Sequence, residues 1–253
     1  MDIKLIVAAH KPYRMPTDGV YLPLQVGAAG KPPIPGFARD DEGEGISARN
    51  ASYCELTGLY WAWRNVRVEA VGLVHYRRHF RGAHGIATGG ELAACLVDHD
   101  VILPRKRHYM IETTYSQYVH AHHAQDLDVT RQILAERSAD EAASFDRVMR
   151  STSGHRFNMF VMRRPFFEAY CAWLFDVLFE LERRLDTSSY SPYDARVFGF
   201  VGERLLDVWL DRMRGRVRMV ELPVLHLESQ HWPTKVFRFL CRRLGCRWRR
   251  RGV

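Results

Sequence analysis

Within "GLVHYRRHFRG" (72–82), His75, Arg77, Arg78, His79 and Arg81 fall inside seven positions, directly after an apolar run that reads as a strand. A guanidinium presents a planar fork of donors that matches phosphate oxygens, and two adjacent ones can cover a diphosphate. A departing diphosphate needs its developing charge neutralised, by fixed cations or by a metal. "VAAHKPY" repeats the theme after the first apolar run, with His10, Lys11 and Tyr13. Salt bridging to an acid elsewhere in the chain is the competing account of any single arginine here.

Two further stretches carry titratable groups. "YVHAHHAQD" offers His120, His122, His123 and Asp126. On a helix His122 and Asp126 share a face as an i, i+4 pair. The stretch lacks the paired-His helix motif with Glu between, so no zinc is assigned to it. A polar helix face bordering a sugar site and plain structural hydrogen bonding both remain open for it. "SPYDARVFGFVGERLLDVW" holds Asp194, Arg196, Glu203 and Arg204. One carboxylate on an otherwise apolar helix facing strand ends can act as a general base. A surface ion pair with Arg204 accounts for Glu203 equally well. No phosphate-binding glycine loop, nucleophile elbow or Cys-x-x-Cys is present, and no Asp-x-Asp follows a strand.

The elements that must position these groups follow from periodicity. "IKLIVAA" (3–9) reads as a buried strand. A Pro/Gly-rich loop follows, with a short extended piece around Tyr21–Val26. Ser47 is placed as the N-cap of a helix over 48–66. "VEAVGLVHYRR" (68–78), "HDVILPRK" (99–106) and "RFNMFVMRR" (156–164) are strands, and "VRMVELPVLH" (217–226) closes as one. "GGELAACLVDH" is a short helix, a longer one covers about 112–136, and Pro165 opens an amphipathic helix. A last helix covers about 194–213. Strands alternating with helices predict one α/β layered domain with a mostly parallel central sheet. In such sheets ligands sit beyond the carboxyl ends of the strands, which is where the cations fall.

The chain has 253 residues, is 47% hydrophobic and carries a formal net charge of +8. That charge is local. Eight of the 37 Lys and Arg lie in residues 235–253, a stretch with no acid, and the remaining 29 match the 29 acids. Val236, Phe237, Phe239, Leu240, Leu244 and Trp248 interleave with those arginines at spacings near 3 and 4. This predicts a basic amphipathic C-terminal helix lying on an anionic membrane surface. The five cysteines are odd in number and scattered, which predicts reduced thiols rather than a disulfide framework. The opening apolar run is too short for a signal peptide, and no run approaches a bilayer span. The expected location is therefore cytoplasmic and peripheral, on the inner face of the plasma membrane.

In order along the chain, "AAHKPYRMP", "YLPLQVGAA", "ISARNASYCELTGLYWAWRN", "VGLVHYRRHF", "VILPRK", "AHHAQDLD", "NMFVMRRPFFEAYCAWLFDVLFELE" and "ARVFGFVGERLLDVWL" together resemble a bacterial polysaccharide-biosynthesis glycosyltransferase family first catalogued as a domain of unknown function. The resemblance runs over about residues 3–228. It implies a GT-A-like domain over 1–230, with the basic tail at 231–253. It further implies a nucleotide-diphosphate sugar donor, with galactofuranose from its UDP form preferred and inversion expected.

On that resemblance His10, Lys11 and Tyr13 border the nucleotide, and His75, Tyr76, Arg77 and Arg78 take the diphosphate. Ser47, Asn50, Tyr53 and Glu55 line the donor pocket, with His122, His123, Asn158 and Arg196 also on the sugar side. Glu203 resembles the base of inverting enzymes, with Asp194 and Asp126 in reserve. The cations stand where many such enzymes hold a metal, so no cofactor is required, Mn or Mg being the divalent ion if one is used. The family usually shows "GDNIS" where this chain has "GEGIS" at 43–47, so Glu44 keeps a carboxylate while Gly45 deletes an amide.

The acceptor expected is a lipid-linked polysaccharide or oligosaccharide, with no nucleic acid as partner. Two rival readings are a nucleic-acid-binding module using the arginine-rich tail and a nucleotide-sugar hydrolase.

Overall fold

A computed structural model describes residues 1–109 and 111–228. The strands, in chain order, are β1 (Ile3–Ala9), β2 (Tyr21–Gln25), β3 (Ala38–Arg39), β4 (Ala70–His75), β5 (Arg78–Gly82), β6 (Gly85–Ile86), β7 (Val101–Pro104), β8 (Arg107–His108), β9 (Ser153–Gly154), β10 (Phe160–Arg163), β11 (Met219–Leu222) and β12 (Val224–His226). The helices are α1 (Asn50–Tyr53), α2 (Leu56–Asn65), α3 (Gly89–Asp98), α4 (Thr114–Val119), α5 (Ala124–Arg137), α6 (Ala139–Arg150), α7 (Arg164–Arg184) and α8 (Val197–Arg212). Short 3-10 turns at Ser47–Arg49 and Asp194–Arg196 precede α1 and α8. The tail expected over 231–253 lies outside the described residues.

The central sheet runs β11-β7-β10-β4-β1-β2-β3. Neighbours are parallel except β10, which is antiparallel to both β4 and β7. The mixed α/β architecture with a mostly parallel sheet is as expected. Strand β1 explains why its sequence is apolar throughout. Ile6 and Ala8 pack with the helices α1, α2 and α5–α8 on one face. Ile3, Leu5, Val7 and Ala9 pack on the other, with Leu92 and Leu96 of α3. A strand buried on both faces has no solvent side to mark with polar residues. In β4 Val71 and Leu73 face the helical layer, and Gly72 lets the strands close up, since a Cβ there would sit 2.7 Å from the Phe160 carbonyl.

Several boundaries differ from the sequence reading, each for a local reason. The expected strand 68–78 ends at His75; Tyr76 and Arg77 form the turn of a hairpin in which His75 pairs with Arg78. The strand expected over 217–226 splits at Pro223, which lacks the N–H to continue a ladder. Its first half pairs with β7 and its second with β5. The helix expected over 48–66 breaks at Cys54, and the one over 112–136 breaks between His120 and His123. His122 therefore does not share a helix face with Asp126, because α5 begins only after its N-cap, His123. Helix α6 occupies a stretch to which the sequence reading assigns no element. Its signal is Ser138 as N-cap, accepting from the Glu141 backbone N–H. Among the described residues Cys54, Cys95 and Cys171 are unpaired thiols, and no helix is long and apolar enough to cross a membrane.

Candidate active site

A cavity of about 660 Å3 opens at the carboxyl ends of β1, β2 and β4, on the helical side of the sheet. Ala8, His10 and Val26 come from the first two strand ends, and His75, Tyr76, Arg77 and Arg78 from the β4–β5 hairpin. Asn50, Cys54 and Glu55 come from the α1–α2 junction, Phe157 from the loop entering β10, and Tyr193, Arg196, Phe200 and Glu203 from the start of α8. Because β10 runs antiparallel, its entry loop reaches the same edge at which the parallel strands end. A smaller hollow of about 320 Å3 among α4, α5 and α6 is a poorer candidate, since its Arg131 and Asp146 already pair at 2.7 Å.

The hairpin side is built for an anion. Arg78 stacks on the Phe157 ring, 4.4 Å from its centroid, and its Nε is buried without a hydrogen-bond partner. Burial, then the neighbouring Arg77, push its pKa down against the opposing pull of Glu203, Glu55 and Glu228. Arg77 stacks on Tyr76 at 5.0 Å and donates to Glu228 at 3.1 Å. Tyr76 is the hub of this wall. His10 and Tyr13 meet its ring edge-on at 5.4 and 4.9 Å, and the Lys11 ammonium sits 5.7 Å from its centroid. Lys11 and Tyr13 thus support the wall rather than line the cavity. The His10 imidazole is pushed below its usual value by burial, then by Arg77 and Lys11, so it is neutral near pH 7. His75 donates through Nε2 to the Phe157 carbonyl at 2.6 Å.

Backbone strain also converges on the cavity. Among the described residues three non-glycine positions have positive φ: Cys54 (53°), Phe157 (77°) and Asn158 (51°). Such positions cost about 1–3 kcal/mol each and persist only where their surroundings hold them. Cys54 is held by Asn50, whose Nδ2 donates to the Cys54 carbonyl at 2.7 Å, and by Arg196 Nε, 3.2 Å from its sulfur. Gly199 packs closely beside it, where a Cβ would lie a tight 3.1 Å from the Cys54 side chain. Burial pushes the Cys54 thiol up to about 11. The 157–158 turn is held by Glu203, whose Oε1 accepts the Phe157 N–H at 3.1 Å, and by Asn158 Nδ2, which donates to the Gly199 carbonyl at 3.2 Å and to Glu55 Oε1 at 2.7 Å.

Of the residues singled out from the sequence, His10, Asn50, Glu55, His75, Tyr76, Arg77, Arg78, Arg196 and Glu203 meet at this cavity, and Asn158 adjoins it through Glu55. Others are placed elsewhere. Tyr53 is fully buried in the core and donates to Glu182 at 3.1 Å, so it does not line the pocket. Ser47 donates to Asp40 at 2.5 Å. Asp40, which sequence reasoning missed, is fully buried and also accepts from the Gly27 and Ala28 N–H groups and from Thr57. It ties the end of β2 to α2, and nothing in its local sequence marks it. Asp126 is buried between Tyr118 and Tyr190, accepting from both hydroxyls, and burial raises its pKa. Asp194 stands 3.5 Å from His122 Nδ1 and 3.9 Å from His123 Nε2. His122 stacks on Phe200 and on Tyr193, which also touch each other, and His123 stacks on Tyr190. Glu44 pairs with Arg64, and Gly45 approaches so closely that a Cβ would lie 2.4 Å from the Asp40 carbonyl oxygen. A side chain at 45 is therefore excluded by the backbone.

Among the described residues no three His, Cys, Asp or Glu side chains are grouped as metal ligands. The hairpin wall offers guanidinium groups, not the carboxylates that a hard divalent cation prefers.

Comparison with known proteins agrees with this fold. A solved structure described as the WbbM bifunctional glycosyltransferase in its apo form superposes with a TM-score of 0.84 at 26% identity, covering 90% of this chain. The chain spans 46% of that protein's length. No curated protein matches the chain. The family described as Domain of unknown function (DUF4422) matches residues 4–214, and the chain belongs to it.

Proposed function

We propose that this chain is a glycosyltransferase that moves a sugar from a nucleotide diphosphate to an acceptor hydroxyl. The observation that carries the reading is Arg78, whose buried Nε lacks a partner at a cavity that Arg77 also lines. A diphosphate supplies the missing acceptor, and the cavity volume lies within the range of small-molecule clefts. Likeness to a bifunctional glycosyltransferase supports the same reaction class. In the reaction the acceptor oxygen bonds to the anomeric carbon as the bond to the β-phosphate oxygen breaks. The nucleotide diphosphate leaves with the electron pair, and Arg77 and Arg78 neutralise the charge it gains.

The finer reading rests on the family resemblance: UDP-galactofuranose as donor, inversion at the anomeric carbon, and a lipid-linked glycan as acceptor. The basic stretch 235–253 supports an anionic membrane surface, at the inner face of the plasma membrane, as the place of action. The test is a panel of nucleotide sugars scored first by thermal stabilisation of the protein, with and without chelator, and then by product formation with and without a glycan acceptor. UDP-galactofuranose is expected to stabilise most and to be consumed only with acceptor present. Equal consumption without acceptor would make the protein a nucleotide-sugar hydrolase instead.

A further inference from the structure

We infer that Glu55 is the general base of the transfer reaction, positioned by Asn158; this rests on the glycosyl-transfer reading above. Two carboxylates line the cavity, Glu55 and Glu203. Glu203, the choice made from sequence, is fully engaged. Its Oε1 accepts the Phe157 N–H at 3.1 Å, and its Oε2 accepts from Arg204 at 3.0 Å with Arg156 Nη1 at 3.5 Å. Both of its oxygens thus already face protein donors, a backbone amide on one and guanidinium groups on the other, and neither is left open to an acceptor hydroxyl. Glu55 differs. Asn158 Nδ2 holds its Oε1 at 2.7 Å, and among the described residues no donor reaches its Oε2.

The strained backbone points to the same pair. Glu55 directly follows Cys54, and Asn158 is itself the second residue of the strained 157–158 turn. The bond between Glu55 and Asn158 joins these two segments, 103 residues apart in sequence, at the cavity. Strain held in place by surrounding contacts is characteristic of groups that must stand at one defined point. The charged neighbours suit the role. Glu55 is felt electrostatically by Arg78 on the hairpin wall and by Arg196 on the α8 wall. Glu203 acts on Arg78 as well, and the Cys54 thiol between the walls feels both carboxylates. Glu55 thus lies within electrostatic reach of the cation assigned to the leaving group and of Arg196, which stands over the Tyr193 and Phe200 rings of the same cavity.

The step is a proton transfer coupled to substitution. The acceptor hydroxyl passes its proton to Glu55 Oε2 while its oxygen bonds to the anomeric carbon, and the pair from the broken carbon–oxygen bond leaves on the nucleotide diphosphate. Glu55, now a carboxylic acid, returns the proton to water.

Glu55→Gln tests this, because the amide oxygen can still accept from Asn158 while the proton-accepting oxygen is lost. The expected result is transfer slowed about 10²–10⁴-fold, with UDP affinity within about threefold of wild type. The acid limb of the pH–rate profile should disappear, and an acidic nucleophile such as 4-nitrophenol should restore at least about tenfold of the loss, because it needs no base. Asn158→Ala leaves the Glu55 carboxylate unpositioned, so kcat should fall while KM for the donor hardly changes. Glu55→Asp, which keeps a carboxylate, should retain the limb and part of the rate. Wild-type transfer by Glu55→Gln with an unchanged acid limb would overturn the assignment while leaving glycosyl transfer intact. A wild-type protein that consumes no nucleotide sugar would overturn both.

Discussion

Glu203 and Phe157 are joined by a 3.1 Å hydrogen bond from the Phe157 N–H to Glu203 Oε1, across 46 residues of sequence. This bond fastens the left-handed 157–158 turn to α8, and it explains why a carboxylate is needed on an otherwise apolar helix face. The same carboxylate is the counter-charge of Arg204, which is 5% exposed, stacks on Tyr118 at 5.0 Å and shares Gln117 Oε1 with Arg156.

Removing Glu203 should therefore be felt as instability. Glu203→Ala leaves a buried guanidinium without its partner and is expected to cost about 3 kcal/mol. Glu203→Gln retains an oxygen for the Phe157 N–H and should cost less. Urea denaturation of both variants beside wild type measures the difference; equal stability of Glu203→Ala and wild type would show that Gln117 and the aromatic stack suffice.

Arg78 should be needed for its fork and not only its charge. Arg78→Lys preserves one positive charge but cannot present two parallel donors to a diphosphate. A loss of about 10²–10³-fold in kcat/KM is expected for Arg78→Ala, with a smaller loss for lysine. The melting temperature without nucleotide should hardly change, since Arg78 lacks an acid partner and carries a lowered pKa. Isothermal titration with UDP checks the binding part.

Acid should unfold this protein through buried neutral histidines. His79 is fully buried, and burial lowers its imidazole from 6.5 to about 4. Burial, then the charge of Arg204, lower His122 to about 4. Between pH 6.5 and 4 the unfolded chain binds more protons at these groups than the folded one, so stability falls as pH is lowered through that window. It is fully present above about 6.5. Each site contributes up to about 3 kcal/mol over the window. Comparing urea midpoints at pH 7 and pH 4.5, His79→Leu should lose about 2 kcal/mol less than wild type; identical losses would exclude His79 as a source.

The basic stretch 235–253, outside the described residues, should matter only where a membrane is present. Its deletion is expected to lower transfer onto a lipid-linked acceptor while leaving transfer onto a soluble analogue unchanged. Vesicle co-sedimentation with anionic and neutral lipid reads the binding directly, with loss of affinity at high salt expected for an electrostatic contact.

Much of the architecture was legible from periodicity alone. The apolar runs at 3–9, 70–75 and 101–104 carry enough β-branched content to be read as strands, and Pro165 marks the start of α7. The cation knot at 75–78 could be placed at a sheet edge for the same reason. What sequence could not supply is anything that depends on which oxygen meets which donor. Glu203 and Glu55 are both single carboxylates beside apolar helix residues, and no local pattern tells a clamped carboxylate from a free one. The difference arises from Arg204, its neighbour on α8, and from Phe157 and Arg156, brought to Glu203 by the loop entering an antiparallel β10 whose direction its own residues do not encode. The break at Cys54 is likewise invisible locally, because its positive φ is imposed by Asn50, Arg196 and the close approach of Gly199. Residue types thus decided which elements form and what charge the site carries. Long-range packing decided which carboxylate keeps an unoccupied oxygen, because hydrogen bonds and steric contact act through space and not along the chain.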